Sequence, residues 1–188
     1  MKIRWLGNAA LEIFADKHIV IDPNFTVKFS KKPDIVLLTH EHDDHFSPED
    51  YRALGEQTEL YAPAFSLEKF EVEGTAVNPG DDIKGIKVLE SDCYGSEESV
   101  SYFYKGLLHA GDSAYFPEVE GVKAVFTACF PDYYDDYTEA FQRLGPDIVV
   151  PFHYDPEEDM DDALGLKKRL DDEDTPCKII EPGDQIEI

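Results

Sequence analysis

The stretch that most constrains this chain is Thr39-His40-Glu41-His42-Asp43-Asp44-His45, which places three of the six histidines and three acidic residues within seven positions. It follows directly on Ile35-Val36-Leu37-Leu38, an apolar run of strand length. A buried strand that ends in imidazoles and carboxylates presents ligands to a cation. Side chains two apart in an extended chain project to one side, so His40 and His42 can reach the same ion. Asp44 and His45 are adjacent and diverge if the chain stays extended; a turn after the strand brings them to a second position near the first. Mixed imidazole and carboxylate ligands suit zinc, iron or manganese, whereas calcium takes oxygen alone. These residues cannot complete a two-metal site, so later segments must supply the remaining ligands.

Three further apolar runs end the same way. Asp22 follows Ile19-Val20-Ile21, Asp112 closes Leu107-Leu108-His109-Ala110-Gly111, and His153 follows Ile148-Val149-Val150-Pro151-Phe152. Taken alone, an Asp after Gly is more often a turn residue, and a lone His at a strand end is more often structural. Four strand ends carrying His or Asp is the pattern of a sheet edge that lines a metal cleft. His109 has three readings: a ligand, a hydrogen-bond donor behind a ligand, or a satisfied semi-buried histidine. The second is favoured.

Strand patterns cover 2–6, 10–15, 18–21, 35–39, 59–61, 75–77, 86–90, 100–104, 107–110, 123–127, 148–150, 178–180 and 185–188. Asn78 to Asp82 reads as a turn. Ser47-Pro48-Glu49-Asp50 is a helix start that predicts a helix to Leu54, stopped by Gly55. Helices are also expected over 64–70, 135–144 and 157–170. Strands come first and then alternate with helices, which suggests two packed sheets with helices outside, in one domain over residues 1–188.

Charge narrows the partners. Seventeen basic against 41 acidic residues give a net charge of −24, which disfavours nucleic acid and anionic membranes. Three widely spaced cysteines, Cys93, Cys129 and Cys177, argue against a disulfide framework and fit a reducing compartment. The chain runs from Met1 straight into strand-like sequence, and no apolar stretch reaches membrane-spanning length, so a soluble cytoplasmic protein is expected.

The cluster His40-Glu41-His42-Asp43-Asp44-His45 resembles the His-x-His-x-Asp-His signature of the metallo-β-lactamase fold superfamily. Trp5-Leu6-Gly7, Ile21-Asp22-Pro23, Leu38-Thr39-His40, His109 to Asp112 and Val150 to Tyr154 follow in order. Together they resemble its small metal-dependent hydrolase branch, which includes ascorbate-6-phosphate lactonase-like proteins. The resemblance implies a four-layer αββα sandwich with the site at one edge of the two sheets. It implies that His40 and His42 hold a first metal, that Asp44, His45 and His153 hold a second, that Asp112 bridges them, and that Asp22 orients the cluster. Two positions depart from the pattern. The family usually has a histidine between the cluster and the Gly-Asp, where this chain reads Glu90-Ser91-Asp92-Cys93-Tyr94-Gly95-Ser96; Asp92 or Cys93 can stand in for it. Asn8 stands where the branch often has a histidine.

The expected chemistry is hydrolysis of a small ester, lactone or phosphodiester by a metal-activated water, with one or two divalent ions, zinc before manganese or iron. Asp44 is the expected catalytic residue, orienting that water and shuttling its proton. Tyr94, Tyr115, Phe130, Tyr133, Tyr134 and Tyr154 are candidate cleft residues. The competing reading is a metal-binding sensor or scaffold without turnover, motivated by the absent middle histidine. A di-iron redox centre is a third, without a second cofactor motif to support it.

Overall fold

A computed structural model describes residues 1–55 and 58–188. Its elements run β1 (Lys2–Gly7), β2 (Ala10–Phe14), β3 (His18–Ile21), β4 (Ile35–Leu37), α1 (Pro48–Leu54), β5 (Glu59–Ala62), α2 (Ala64–Lys69), β6 (Thr75–Ala76) and β7 (Asp82–Ile83). They continue with β8 (Ile86–Glu90), β9 (Val100–Tyr104), β10 (Leu107–His109), β11 (Ala124–Thr127), α3 (Tyr134–Leu144), β12 (Ile148–Pro151), α4 (Met160–Asp172) and β13 (Gln185–Glu187).

The strands form two mixed sheets, ordered β13-β1-β2-β3-β4-β5-β6 and β12-β11-β10-β9-β8-β7. Strands run parallel at β3-β4-β5-β6 and at β10-β11-β12, where longer connections intervene, and the remaining pairs are antiparallel. Period-two alternation divides the first sheet between two cores. Ile19, Ile21, Ile35 and Leu37 join the large core that includes the second sheet. Val20, Val36 and Leu38 point the other way, onto Phe46 and Leu54, with Leu67 and Phe70 beside them. On the far side, Tyr137 and Phe141 of α3 and Ala163, Leu166 and Leu170 of α4 pack with Val125 and Val149. The result is a four-layer αββα arrangement.

Ser47 caps α1 by accepting from the Asp50 N–H, and Pro48 occupies the first turn. Some expectations fail for local reasons. Residues 178–180 form no strand: Cys177 makes an isolated bridge to Val149, and Lys178 N–H donates to the Val149 carbonyl, so the contact ends before a ladder forms. Asp82 belongs to β7 rather than only to a turn, because Ile83 needs a place in the core and pairs with Ile86. Helix α4 begins at Met160, since residues 155–159 turn on the Asp155 carbonyl, which accepts from Glu158 and Asp159. Pro131–Tyr133 forms a 3-10 turn before α3 that the pattern did not indicate.

The parallel strands matter most for function. Asp22 follows the carboxyl end of β3, His40 follows β4, Asp112 follows β10 and His153 follows β12. In open α/β sheets, ligands gather outside the carboxyl ends of the strands, where several chain segments diverge. Here two sheets bring such ends together. His40 bridges Ser99, the Val100 N–H donates to the Thr39 carbonyl, and Tyr102 Oη donates to the Leu38 carbonyl at 2.6 Å, tying the sheets at this edge.

Candidate metal centre

Backbone geometry aims the side chains before any ion is considered. Asp22 and His153 have left-handed φ values of 48° and 60°, costly conformations for non-glycine residues that cluster at sites the surroundings over-determine. The His153 N–H donates to the Asn8 carbonyl, which also accepts from Trp5 Nε1. Asn8, standing where a histidine was expected, therefore serves the site through its backbone. Gly111, at φ 58°, lets the chain turn against Thr39; a Cβ there would come within 3.1 Å of the Thr39 side chain.

Asp22 and Thr39 set the tautomers of two imidazoles. Asp22 accepts from the Thr39 N–H at 2.8 Å, from the Thr39 hydroxyl at 2.7 Å and from His45 Nδ1 at 2.9 Å. With its proton given to Asp22, Thr39 Oγ1 accepts from His40 Nδ1 at 3.0 Å. Both histidines therefore spend Nδ1 on these acceptors and turn Nε2 into the site, the arrangement that metal-binding histidines adopt.

Two groups of four residues gather their ligand atoms within 4.8 Å of one another. One is His40, His42, Cys93 and Asp112; the other is Asp44, His45, Asp112 and His153. Asp112 belongs to both. Its Oδ1 lies 3.1 Å from His45 Nε2, and its Oδ2 lies 3.9 Å from His40 Nε2 and 3.6 Å from His153 Nε2. His153 Nε2 is also 3.1 Å from Asp44 Oδ2. His40 Nε2, His45 Nε2 and Asp112 Oδ1 are buried, yet none has a hydrogen-bond partner among the described residues. Close approach without hydrogen-bond geometry means these atoms point past one another at shared points. Buried polar atoms left unpaired are costly, and a divalent cation is the ligand that satisfies imidazole and carboxylate atoms converging this way. The donor set fits zinc, manganese or iron.

Electrostatics follow the same lines. Burial, with His45 nearby, pushes the His40 imidazole down to about 3, so its lone pair is free at neutral pH. Burial alone would also lower His45, but Asp112 and Asp22 hold it well above its ordinary value. The His153 hydrogen bond keeps Asp44 at about 2, fully ionised near neutrality. Burial and the Asp112 charge push the Cys93 thiol up to about 12. A cation at Cys93 must therefore displace a proton.

Of the two middle residues proposed from sequence, Cys93 enters a group and Asp92 does not; Asp92 is exposed on the cleft wall. Cys93 Sγ stands 3.9 Å from His42 Nδ1. Its loop is pinned at both sides by residues the sequence reading left without a role. Buried Glu41 accepts from the Glu97 N–H at 2.6 Å, and Ser113 Oγ accepts from the Asp92 N–H at 2.9 Å. Glu41 lies inside the histidine cluster, between buried His40 and half-buried His42, and that position was the available hint. His109 spends both ring nitrogens on backbone, donating to the Ala9 carbonyl and accepting from the Gly111 N–H, so it shapes the turn that carries Asp112. Tyr94, Tyr115, Phe130 and Tyr133 line a cavity of about 1000 Å³ over the site. Tyr134 and Tyr154 do not: their hydroxyls donate to the Asp162 and Ile180 carbonyls, within the packing around α4 and beneath the site.

Residues 2–153 match the family profile of the Beta-lactamase superfamily domain. A UPF0173 metal-dependent hydrolase of Thermoplasma acidophilum is 33% identical, with 82% of this chain and 83% of the relative covered. One from Methanoculleus marisnigri is 25% identical, covering 100% of this chain and 97% of the relative. A solved structure from Parabacteroides distasonis shares the fold, with a TM-score of 0.78 at 22% identity over 97% of this chain and 93% of that one. No helix among the described residues is long and apolar enough to cross a membrane.

Proposed function

The chain belongs to the beta-lactamase superfamily, and from that premise we propose that it is a metal-dependent hydrolase acting on a small ester, lactone or phosphodiester. The observation that carries the reading is Asp112, whose two oxygens face both ligand groups. Relatives named as metal-dependent hydrolases support it. In this reading His40, His42 and Cys93 hold one divalent ion, Asp44, His45 and His153 hold a second, and Asp112 is shared. Zinc suits the mixed nitrogen, sulfur and oxygen donors best, with manganese or iron as alternatives.

Divalent ions bound there lower the pKa of water toward neutrality and polarise the scissile carbonyl or phosphoryl oxygen. The chain's own residues supply position and proton handling. Asp44 is ionised, exposed to the cavity and held by His153, so it can accept a proton from attacking water and orient it. Asp22 and Thr39 keep the His45 and His40 rings fixed while this occurs.

The test is hydrolysis of a generic carboxylic ester and a generic phosphodiester by protein of measured metal content. Turnover lost in Asp112→Ala and restored in neither metal-free wild type nor buffer supports the hydrolase. Protein with two equivalents of metal that is inert on both substrates favours a sensor or scaffold.

A further inference from the structure

The wall of the cavity over the centre carries Asp92, Asp132 and Asp136 besides Asp44 and Asp112, and no lysine or arginine among the described residues. Asp92, Asp132 and Asp136 are exposed and enter no ion pair among the described residues. Both arginines of α3 and α4 are committed elsewhere, Arg143 to Glu118 and Arg169 to Asp135. Even with two divalent ions in place, Asp44, Asp112, the Cys93 thiolate and a hydroxide offset all four of their positive charges. The three wall carboxylates then turn the local balance negative, before the protein's net charge of −24 is added.

A second, independent feature points to what the wall receives. Tyr94 is 88% exposed and Tyr115 is 47% exposed, two of only four large apolar side chains so exposed among the described residues. Both lie on this cavity, with Phe130 and Tyr133 completing an aromatic wall. Exposed rings beside free carboxylates form the environment that holds ammonium groups, through the negative ring faces and the counter-charge together. The candidate metal centre at the floor, gathered around Asp112, marks where the reacting end of a ligand is drawn.

We propose that this cleft selects substrates bearing a cationic group, an ammonium or quaternary ammonium attached to an ester or lactone, and rejects anionic ones. Tyr94, Tyr115 and the carboxylates of Asp92, Asp132 and Asp136 determine that preference. The word substrate rests on the hydrolase reading above; the cation preference of the cleft stands on its wall alone. Phosphodiesters, which carry negative charge, rank last.

The experiment has a binding arm and a turnover arm, both on zinc-loaded full-length protein. Calorimetric titration compares phenyltrimethylammonium with benzyl alcohol and benzenesulfonate. The cation is expected to bind at least about tenfold more tightly than the sulfonate, with the alcohol between. Asp132→Asn combined with Asp136→Asn weakens cation binding about fivefold without changing metal content, and added salt does the same to the wild type. Equal binding of the three probes, or a double variant that binds the cation as the wild type does, overturns the proposal. Turnover then compares acetylcholine, its uncharged carbon isostere 3,3-dimethylbutyl acetate, and an acetate ester ending in a sulfonate, by kcat/KM. Hydrolysis of all three without ranking by charge overturns the cation preference and leaves the hydrolase standing. Retained cation binding with no hydrolysis of any of them overturns the hydrolase and leaves the cleft as a cation site.

Discussion

Two buried clusters of carboxylate and imidazole lie along the first sheet, the second completed by Asp112 from the other sheet, and they have opposite hydrogen-bond balances. At Glu12 and His18, on β2 and β3, every charged atom has a protein partner. Glu12 Oε1 accepts from His18 Nε2, the Ser30 N–H and the Ser30 hydroxyl, Oε2 accepts from Arg4, and His18 Nδ1 meets the Lys32 carbonyl. At Asp22, His40, His45 and Asp112 the outer atoms are satisfied and the inner ones are not. Burial of acid and imidazole is thus no sign of a metal by itself. The sign is an unpaired remainder whose lone pairs converge. The first cluster locks the segment carrying Ser30 and Lys32 onto β2 and β3; the second leaves binding capacity for a cation.

The comparison can be broken at either cluster. The largest effect is expected from Asp112→Ala, which should cut hydrolysis by on the order of 10³-fold, measured as kcat/KM on an ester. Glu12→Gln should leave metal content untouched and instead cost stability, about 3 kcal/mol at neutral pH by chemical denaturation. The Glu12 carboxyl is held down from 4.5 to about 2: burial would raise it, but the His18 and Ser30 hydrogen bonds outweigh that. Its folded-state value is depressed, so its stabilisation is full above about pH 4.5 and is lost as pH falls through about 2. The gap between wild type and Glu12→Gln should therefore narrow across that window. A gap that stays constant from pH 6 to pH 2 would mean the network's worth lies elsewhere.

Asp22→Asn is expected to weaken metal binding by about 10- to 100-fold while every ligand remains, because the His45 tautomer loses its acceptor. Equilibrium dialysis against a competing chelator reads this directly. Cys93→Ser sharpens the difference between the two ligand groups. It should weaken one equivalent by about tenfold and leave the other unchanged, because Cys93 faces only His40, His42 and Asp112. Cobalt-loaded wild type should show a thiolate charge-transfer band that this variant lacks.

Much of this second cluster was legible in the chain because strand periodicity is strong there. Apolar runs before Asp22, His40, Asp112 and His153 announce buried strands, and polar residues at their ends can only face the edge. What stayed closed depends on loops. Asp92 and Cys93 are neighbours, and which one faces inward is decided by the Glu41 and Ser113 hydrogen bonds that pin their loop, contacts spanning 56 and 21 positions of sequence. The Glu12 network was invisible for the same reason, since Ser30 and Lys32 reach it only after the chain folds back. Residues 178–180 read as a strand from composition, yet the single bridge to β12 is made by Cys177 just before them.

The most direct test is the metal stoichiometry of the intact protein, by calorimetric titration of chelator-treated samples with zinc and elemental analysis of the product. Two equivalents in the wild type, with both weakened in Asp112→Ala, is the predicted result. One equivalent or fewer in the wild type, or two equivalents bound undiminished in Asp112→Ala, would contradict a centre built around a shared Asp112.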